Sequence, residues 1–135
     1  FEPEIERLLD EVDESYLKIC FDTGHHSYAG FDPSSFMRRY IHRISYMHFK
    51  DIDPIVKADV VAKRTDFYSA CGQGIFCNLG RGDVDFQTVR KLLLENNFDG
   101  WCTVEQDCDP EGKTSPLEDA KINREYLQSI GFKSP

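Results

Sequence analysis

Apolar residues recur every three or four positions in four stretches of the chain, the spacing that places them on one face of an α-helix. Pro3 suits the first turn of the first helix, Asp85 is a suitable N-cap for the third, and Gly131 a suitable end for the fourth. The pattern therefore predicts helices over residues 3–12, 32–41, 86–97 and 118–130.

Short, mostly apolar runs lie between these helices and predict β-strands over residues 16–21, 44–49 and 100–105. Strands that alternate with helices pair in parallel, so the sequence predicts an α/β fold with one parallel sheet. Three strands do not close a barrel, and we expect the outer edges of this sheet to be exposed.

A long connection, residues 52–84, follows the second strand. A structureless loop of that length is rare in a compact domain unless it covers a binding site, and we expect residues 56–68 to contribute some helix. Glycines at 72, 74, 80 and 82 permit hinge conformations, so the connection is predicted to close over a ligand. A phosphate cradle at Gly-x-Gly is a weaker interpretation, because no strand-to-helix context surrounds it.

Charge and composition narrow the classes of function. The net charge is −8, without a compensating cluster of lysine and arginine, whereas nucleic-acid binding needs a basic face. No apolar run approaches the roughly 20 residues that cross a bilayer, and the acidic first residues are unlike a signal peptide. We therefore expect a cytoplasmic protein with neither a nucleic-acid nor a membrane partner. Five cysteines without CxxC spacing predict free thiols, with Cys20 and Cys102 buried in strands.

Metal-competent side chains stand at the end of every predicted strand. Asp22, His25 and His26 follow the first strand, His48 lies in the second and Glu105 ends the third. The carboxyl ends of parallel strands form the ligand site of α/β folds, so Asp22, His48 and Glu105 are expected to converge. One imidazole with carboxylates suits a borderline or hard divalent ion. Each residue alone also fits a structural role, and the coincidence at three strands favours the metal site.

The same motifs resemble a known family. FDTGHH, MHFKD and WCTVEQD, with GIFCNLGRGDVDF in the long connection, are similar to sugar phosphate isomerases and epimerases with the xylose-isomerase-like TIM barrel. The resemblance covers essentially the whole chain. It implies that residues 1–135 are the C-terminal part of a single (β/α)8 barrel domain, a partial barrel made of the last three parallel strands with flanking helices. The N-terminal half would then be supplied separately, or replaced by self-association.

The resemblance also implies a cofactor and residue roles. The family holds a divalent metal with four ligands, three of which match Asp22, His48 and Glu105, while the fifth-strand glutamate has no counterpart here. The expected ion is Mn²⁺ or Co²⁺, with Mg²⁺ or Zn²⁺ as further candidates. Glu105 and His25 are implied as catalytic residues. Substrate contacts are expected from His25, His26, Lys50 and Arg81.

Within the family, the motifs are most similar to the branch that dehydrates the keto-cyclitol 2-keto-myo-inositol in inositol catabolism. The implied activity of the intact enzyme is that of a metal-dependent hydro-lyase on a small sugar or cyclitol, and this chain alone is expected to be inactive. Glu105, or the upstream glutamate, would take a proton from carbon. Lys50 would steady an enolate oxygen, or instead form a salt bridge with Asp51 or Asp53.

Two other functions use the same features. A divalent-metal ketose isomerase or epimerase of this fold needs the same ion and two acid–base carboxylates. The chain is alternatively an inactive barrel fragment or an association module that pairs through its open sheet edges. A metal-dependent endonuclease is disfavoured by the acidic charge and by the absence of extra histidine ligands.

Overall fold

The computed structural model describes residues 2–107 and 115–133, and a parallel sheet of three strands lies at its centre. The strands are β1 (Ile19–Asp22), β2 (Ile44–Phe49), β3 (Asp51–Ile52), β4 (Phe76–Cys77) and β5 (Trp101–Val104). The sheet has the order β1-β2-β5, and Asp22 pairs with His48, which pairs with Thr103. The predicted α/β fold with a parallel sheet is confirmed. Among the described residues the sheet stays open at the outer edges of β1 and β5, as expected of a partial barrel.

Seven α-helices accompany these strands among the described residues, and four of them cover one face of the sheet. The helices are α1 (Glu2–Glu11), α2 (Thr23–Tyr28), α3 (Pro33–Tyr40), α4 (Pro54–Lys63), α5 (Phe67–Gly72), α6 (Phe86–Glu95) and α7 (Pro116–Ser129), with a short 3-10 turn over Ile41–Arg43. The main core joins Phe21, Met47 and Phe49 of the sheet to apolar residues of α1, α3, α6 and α7. All four predicted helices are present, with ends shifted by a few residues. None of the described helices is long and apolar enough to cross a membrane.

The opposite face of the sheet is not covered by the described residues. Cys20, Tyr46 and Trp101 lie side by side across the strands, and Trp101 is 71% exposed. The prediction that Cys20 is buried is therefore wrong: side chains alternate between faces along a strand, and Cys20 points away from the helices. Cys102 points toward them but is only partly buried, because β5 is an edge strand. Cys108 lies outside the described residues.

The long connection forms a small unit of its own. Strands β3 and β4 pair in antiparallel fashion, and α4 and α5 lie between them, where part of a helix was expected. A second core holds this unit together, made of Ile52, Val60, Ala70, Ile75 and Phe76. The connection is ordered because it has a core, and it stands beside the ends of β1 and β2.

Helix α2, directly after β1, was not predicted. Its residues Thr23–Tyr28 include no repeated apolar spacing, so periodicity does not detect it. The helix forms because the Asp22 side chain accepts a hydrogen bond from the His25 backbone N–H and thereby caps its N-terminus. The cap turns His25 back toward the strand ends.

Candidate metal centre

One carboxylate oxygen of Asp22 caps α2, and the other points toward the ends of the strands. Oδ1 accepts from the His25 backbone nitrogen at 2.8 Å. Oδ2 is buried and has no hydrogen-bond partner among the described residues; it lies 3.5 Å from His48 Nδ1, 3.6 Å from Lys50 Nζ and 3.9 Å from His25 Nε2. A buried carboxylate oxygen without a hydrogen bond is costly, and a bound cation would satisfy it.

His48 and Glu105 complete the predicted group. His48 Nδ1 lies 2.8 Å from Glu105 Oε2, and the Glu105 backbone N–H continues the sheet by donating to the Phe49 carbonyl at 3.0 Å. Burial alone would raise the pKa of Glu105, but the hydrogen bond and charge of Lys50, with the charge of His48, hold that pKa below its usual value. The structure thus brings Asp22, His48 and Glu105 together, while their role as metal ligands stays a prediction.

His25 stands on the other side of the same carboxylates. Asp22, His25 and Glu105 each offer one ligand atom, and these atoms lie within 4.8 Å of one another. The His25 ring packs against Phe67 and Phe76 at centroid distances of 5.6 and 5.4 Å. The long connection therefore supplies an aromatic wall beside the centre. One imidazole and two carboxylates form a donor set that fits a divalent ion such as Mn²⁺ or Co²⁺. His48 is not a member of this group, although its Nδ1 lies near both carboxylates.

Lys50 occupies the middle of the site although its side chain is only 1% exposed. Its Nζ lies 2.8 Å from Asp107 Oδ2, 3.0 Å from His25 Nε2 and 3.2 Å from Glu105 Oε2. Burial disfavours the ammonium, but the hydrogen bond to Asp107 and the charge of Asp22 outweigh it and raise the pKa of Lys50. Lys50 therefore stays charged among the carboxylates.

The alternative pairing of Lys50 with Asp51 or Asp53 is wrong, because both carboxylates are engaged elsewhere. Asp51 is fully buried and accepts backbone N–H bonds from both ends of the turn at residues 80–84. This burial raises the pKa of Asp51, against the opposing effect of those donors. Asp53 caps α4 through bonds from its second and third residues.

The start of α2 holds the Lys50 backbone and stem in place. Thr23 Oγ1 donates to the Lys50 carbonyl at 2.7 Å and accepts from the Lys50 backbone N–H at 3.0 Å. A Cβ added at Gly24 would lie 2.5 Å from Lys50 Cγ, closer than van der Waals contact allows. Only glycine leaves room here for the lysine stem.

Two predicted substrate contacts are not brought into the centre. His26 packs against Phe21 and Phe36 and pairs with Glu2 at 2.8 Å. It does line a cavity of about 310 Å³ beside β1 that Asp22 and His25 also reach. Arg81 is exposed in the turn after β4, and among the described residues no hydrogen bond or ion pair ties its guanidinium to the site.

Asp107 is the functional candidate that sequence reasoning missed. It stands two positions after Glu105, and residues two apart in an extended segment share a face. That spacing was the available signal. Phe67 and Phe76 could not be found in this way, because their approach depends on how the long connection folds.

Comparison with known proteins gives consistent results. A profile of the xylose isomerase-like TIM barrel family matches residues 2–130. An inosose dehydratase of Clostridium botulinum (strain Alaska E43 / Type E3) is 37% identical over 93% of this chain and 42% of its own length. An inosose dehydratase of Clostridium tetani (strain Massachusetts / E88) is 40% identical with the same coverage. The chain thus spans about two fifths of the length of these curated relatives.

A solved structure shares the fold. It is a xylose isomerase-like TIM barrel/4-hydroxyphenylpyruvate dioxygenase fusion protein, which aligns with 98% of this chain and 22% of its own chain at a TM-score of 0.61. The sequence identity is 14%, so this likeness concerns the fold alone.

Proposed function

This chain belongs to the xylose isomerase-like TIM barrel family, as its motifs predict. From that premise we propose that it forms part of a divalent-metal-dependent hydro-lyase. The proposed reaction is the dehydration of a keto-cyclitol of the 2-keto-myo-inositol type. The proposal rests on the convergence of Asp22, His48 and Glu105, with the Asp22 Oδ2 atom left without a hydrogen bond. Relatives named inosose dehydratase support the substrate class. Residues 1–135 would belong to one barrel domain, which agrees with the greater length of those relatives.

The residues that would hold the ion are Asp22 and Glu105 together with an imidazole. That imidazole is His48, as the motifs imply, or His25, whose ring nitrogen lies within 4.8 Å of both carboxylates. When bound, the ion supplies Lewis-acid polarisation of the substrate carbonyl. Aromatic rings of the long connection, Phe67 and Phe76, line the His25 side of the centre and help to exclude water from it.

Glu105 is the proposed base. Its lowered pKa keeps it ionised at neutral pH, and its side chain is 41% exposed, so a ligand can reach it. One carboxylate oxygen takes the proton from the carbon next to the carbonyl. The C–H electron pair forms an enolate, which then expels the β-hydroxyl group. The proton taken up by Glu105 passes to this group, which leaves as water.

Lys50 and His25 are the proposed substrate contacts at the developing charge. The Lys50 ammonium donates to Asp107 and His25, and its remaining N–H points toward Glu105, where it would stabilise an enolate oxygen. An ammonium only donates hydrogen bonds. His25 Nε2 therefore accepts from Lys50 at 3.0 Å, which places the ring proton on Nδ1.

Substitution of Glu105 tests the proposal. In the full-length protein loaded with Mn²⁺ or Co²⁺, Glu105→Gln is expected to lower kcat by about 10²–10⁴-fold, the range for loss of a general base. The assay follows the ultraviolet absorbance of the diketone product. Glu95→Gln, at an exposed position of α6, is the matched control and should be neutral. A Glu105→Gln protein with wild-type metal binding and activity would contradict the proposal.

A ketose isomerase or epimerase is the second candidate. Two carboxylates, Glu105 and Asp107, lie 3.2 and 2.8 Å from Lys50 Nζ, and epimerisation needs two acid–base groups. Product analysis separates the two reactions, because only dehydration yields the diketone. A ketose product without ultraviolet absorbance would favour the isomerase.

A further inference from the structure

We propose that a partly buried network of side-chain amides, on the side of the sheet that the helices cover, positions Glu105 and Asp107 and thereby sets the affinity of the centre for its ion. The amide network is defined as Asn78, Gln106 and Asn123, with the Asp119 carboxylate as a further acceptor. Gln106 and Asn123 act as positioning residues, since neither side chain contacts Asp22, His48 or Lys50 among the described residues. The inference rests on the proposed function, because it concerns the same centre.

Gln106 lies between the two acidic residues but faces the other way. Glu105 and Asp107 contact His48 and Lys50, whereas the Gln106 amide is bonded to Asn123 of α7. Side chains of an extended segment alternate in this manner. A restraint on Gln106 therefore restrains the backbone that carries both carboxylates.

The hydrogen bonds of the network join three separate segments. Gln106 Oε1 accepts from Asn123 Nδ2 at 2.9 Å and from Asn78 Nδ2 at 3.4 Å. Asn123 Oδ1 accepts from the Leu79 backbone N–H at 2.8 Å, and Asn78 Nδ2 also donates to Asp119 Oδ1 at 3.0 Å. The segment after β5 is thus tied both to α7 and to the turn after β4.

The network has one consistent orientation. A backbone N–H can only donate, so Asn123 must turn Oδ1 toward Leu79 and Nδ2 toward Gln106. Gln106 must then present Oε1, because its Nε2 would place two donors against each other. Asn123 is 2% exposed in the middle of a helix, where an unsatisfied amide is costly. The bonds that satisfy Asn123 therefore fix the orientation of Gln106.

Loss of the Gln106 hydrogen bonds is expected to weaken metal binding at the centre. Hydrogen bonds beyond the ligands orient those ligands, and their loss commonly costs 10–100-fold in metal affinity or activity. Here the restraint acts along the backbone from Gln106 to its neighbours on both sides. Without it, Glu105 and Asp107 are free to separate from His48 and Lys50.

The experiment compares Gln106→Met and Gln106→Glu in the metal-free full-length protein by calorimetric titration with Mn²⁺. Gln106→Met keeps the length and loses the acceptor, and it should weaken Mn²⁺ binding about 10–100-fold. Gln106→Glu keeps an acceptor for both asparagine amides and should stay within about threefold of the wild type. Gln87→Met, at an exposed position of α6, is the control and should leave the affinity unchanged.

A second readout does not depend on the ion. The Glu105 backbone N–H is bonded to Phe49 in the sheet, and its hydrogen exchange in the metal-free protein should accelerate in Gln106→Met and not in Gln106→Glu. Unchanged exchange, or Mn²⁺ binding as tight as in the wild type, overturns the inference and leaves the proposed function standing. A wild-type protein that binds no Mn²⁺, Co²⁺, Mg²⁺ or Zn²⁺ overturns the proposed function, and the exchange result then decides the positioning role alone.

Discussion

At the scale of single residues, the site depends on a lysine that is buried and still charged. Lys50 keeps its ammonium because Asp107, Glu105 and Asp22 surround it, and burial alone would favour the neutral amine. Removing water makes each of these interactions stronger than on the surface. The methylene stem of Lys50 packs closely against Gly24, and this contact determines where the ammonium lies.

Gly24→Ala tests this confinement. A methyl group at Gly24 would overlap the Lys50 stem, and a displacement of about 1 Å in a catalytic group can cost about 10²-fold in rate. We expect kcat/KM of the full-length protein to fall by about 10–100-fold. The helix itself should tolerate alanine, which is the better helix former by about 1 kcal/mol.

The control for this substitution is Gly72→Ala. Gly72 ends α5, and an added Cβ there has no heavy atom within 4 Å, so activity should stay at the wild-type level. Equal activities of the two alanine variants would show that the Lys50 stem is not confined as described.

The site residues differ in how far sequence reasoning could find them. The convergence of Asp22, His48 and Glu105 could be predicted from the sequence, because the carboxyl ends of parallel strands meet at one edge of the sheet whatever the details of the helices. The orientation of His26 away from the centre could not be predicted, since the capped turn of α2 sends adjacent histidines in different directions: His25 faces Lys50 and His26 faces Glu2. Such a turn is not visible in residue types alone.

At the scale of elements, aspartate caps define where the helices begin. Asp32, Asp53, Asp66 and Asp85 each accept backbone N–H bonds from the first turn of the following helix. A capping side chain typically contributes about 1 kcal/mol. The caps explain why α4 and α5 form in a connection whose apolar periodicity is weak.

Asp85→Ala should therefore lower the free energy of unfolding by about 1 kcal/mol at pH 7, as measured by urea denaturation. Hydrogen bonds from the Thr88 hydroxyl and backbone hold the pKa of Asp85 below its usual value. A lowered folded-state pKa gives stability that is present above the unfolded pKa and lost as the pH falls through the folded one. The difference from the wild type should accordingly shrink below about pH 4.

Asp83→Ala is the matched control for this cap. Asp83 is exposed two positions earlier, and its side chain makes no hydrogen bond among the described residues, so stability should change little. A pH-independent loss in Asp85→Ala, or an equal loss in Asp83→Ala, would contradict capping as the cause.

The elements predicted from the sequence were those with a strong pattern. Strand β2 matches its predicted bounds, 44–49. Its apolar run begins directly after Arg43, which ends a 3-10 turn, and stops before the charged residues Lys50 and Asp51. The pair of β3 and β4 was not predicted, since two-residue strands carry no periodicity. Their pairing follows instead from the second core, which brings distant residues together.

At the scale of the whole molecule, the described part of the chain has unpaired backbone groups at two strand edges and an exposed tryptophan on one face of the sheet. The outer edges of β1 and β5 are unpaired among these residues, and Trp101 is 71% exposed beside Tyr46 on the uncovered face. Unpaired strand edges and exposed aromatic groups favour association. The three strands carry the site residues, but only one face of the sheet that they form is buried.

Residues 1–135 expressed alone are therefore expected to self-associate, because pairing of two copies would cover both the strand edges and Trp101. Light scattering at increasing concentration should give a mass above the 15.6 kDa of the chain. Trp101→Lys, which places charge on the uncovered face, should shift the distribution toward the monomer. Tyr68→Lys is the control, since Tyr68 is 85% exposed on α5, outside the three-stranded sheet. A monodisperse monomer that unfolds cooperatively would mean that one covered face suffices for stability, and the uncovered face would then be free to receive a ligand without any partner.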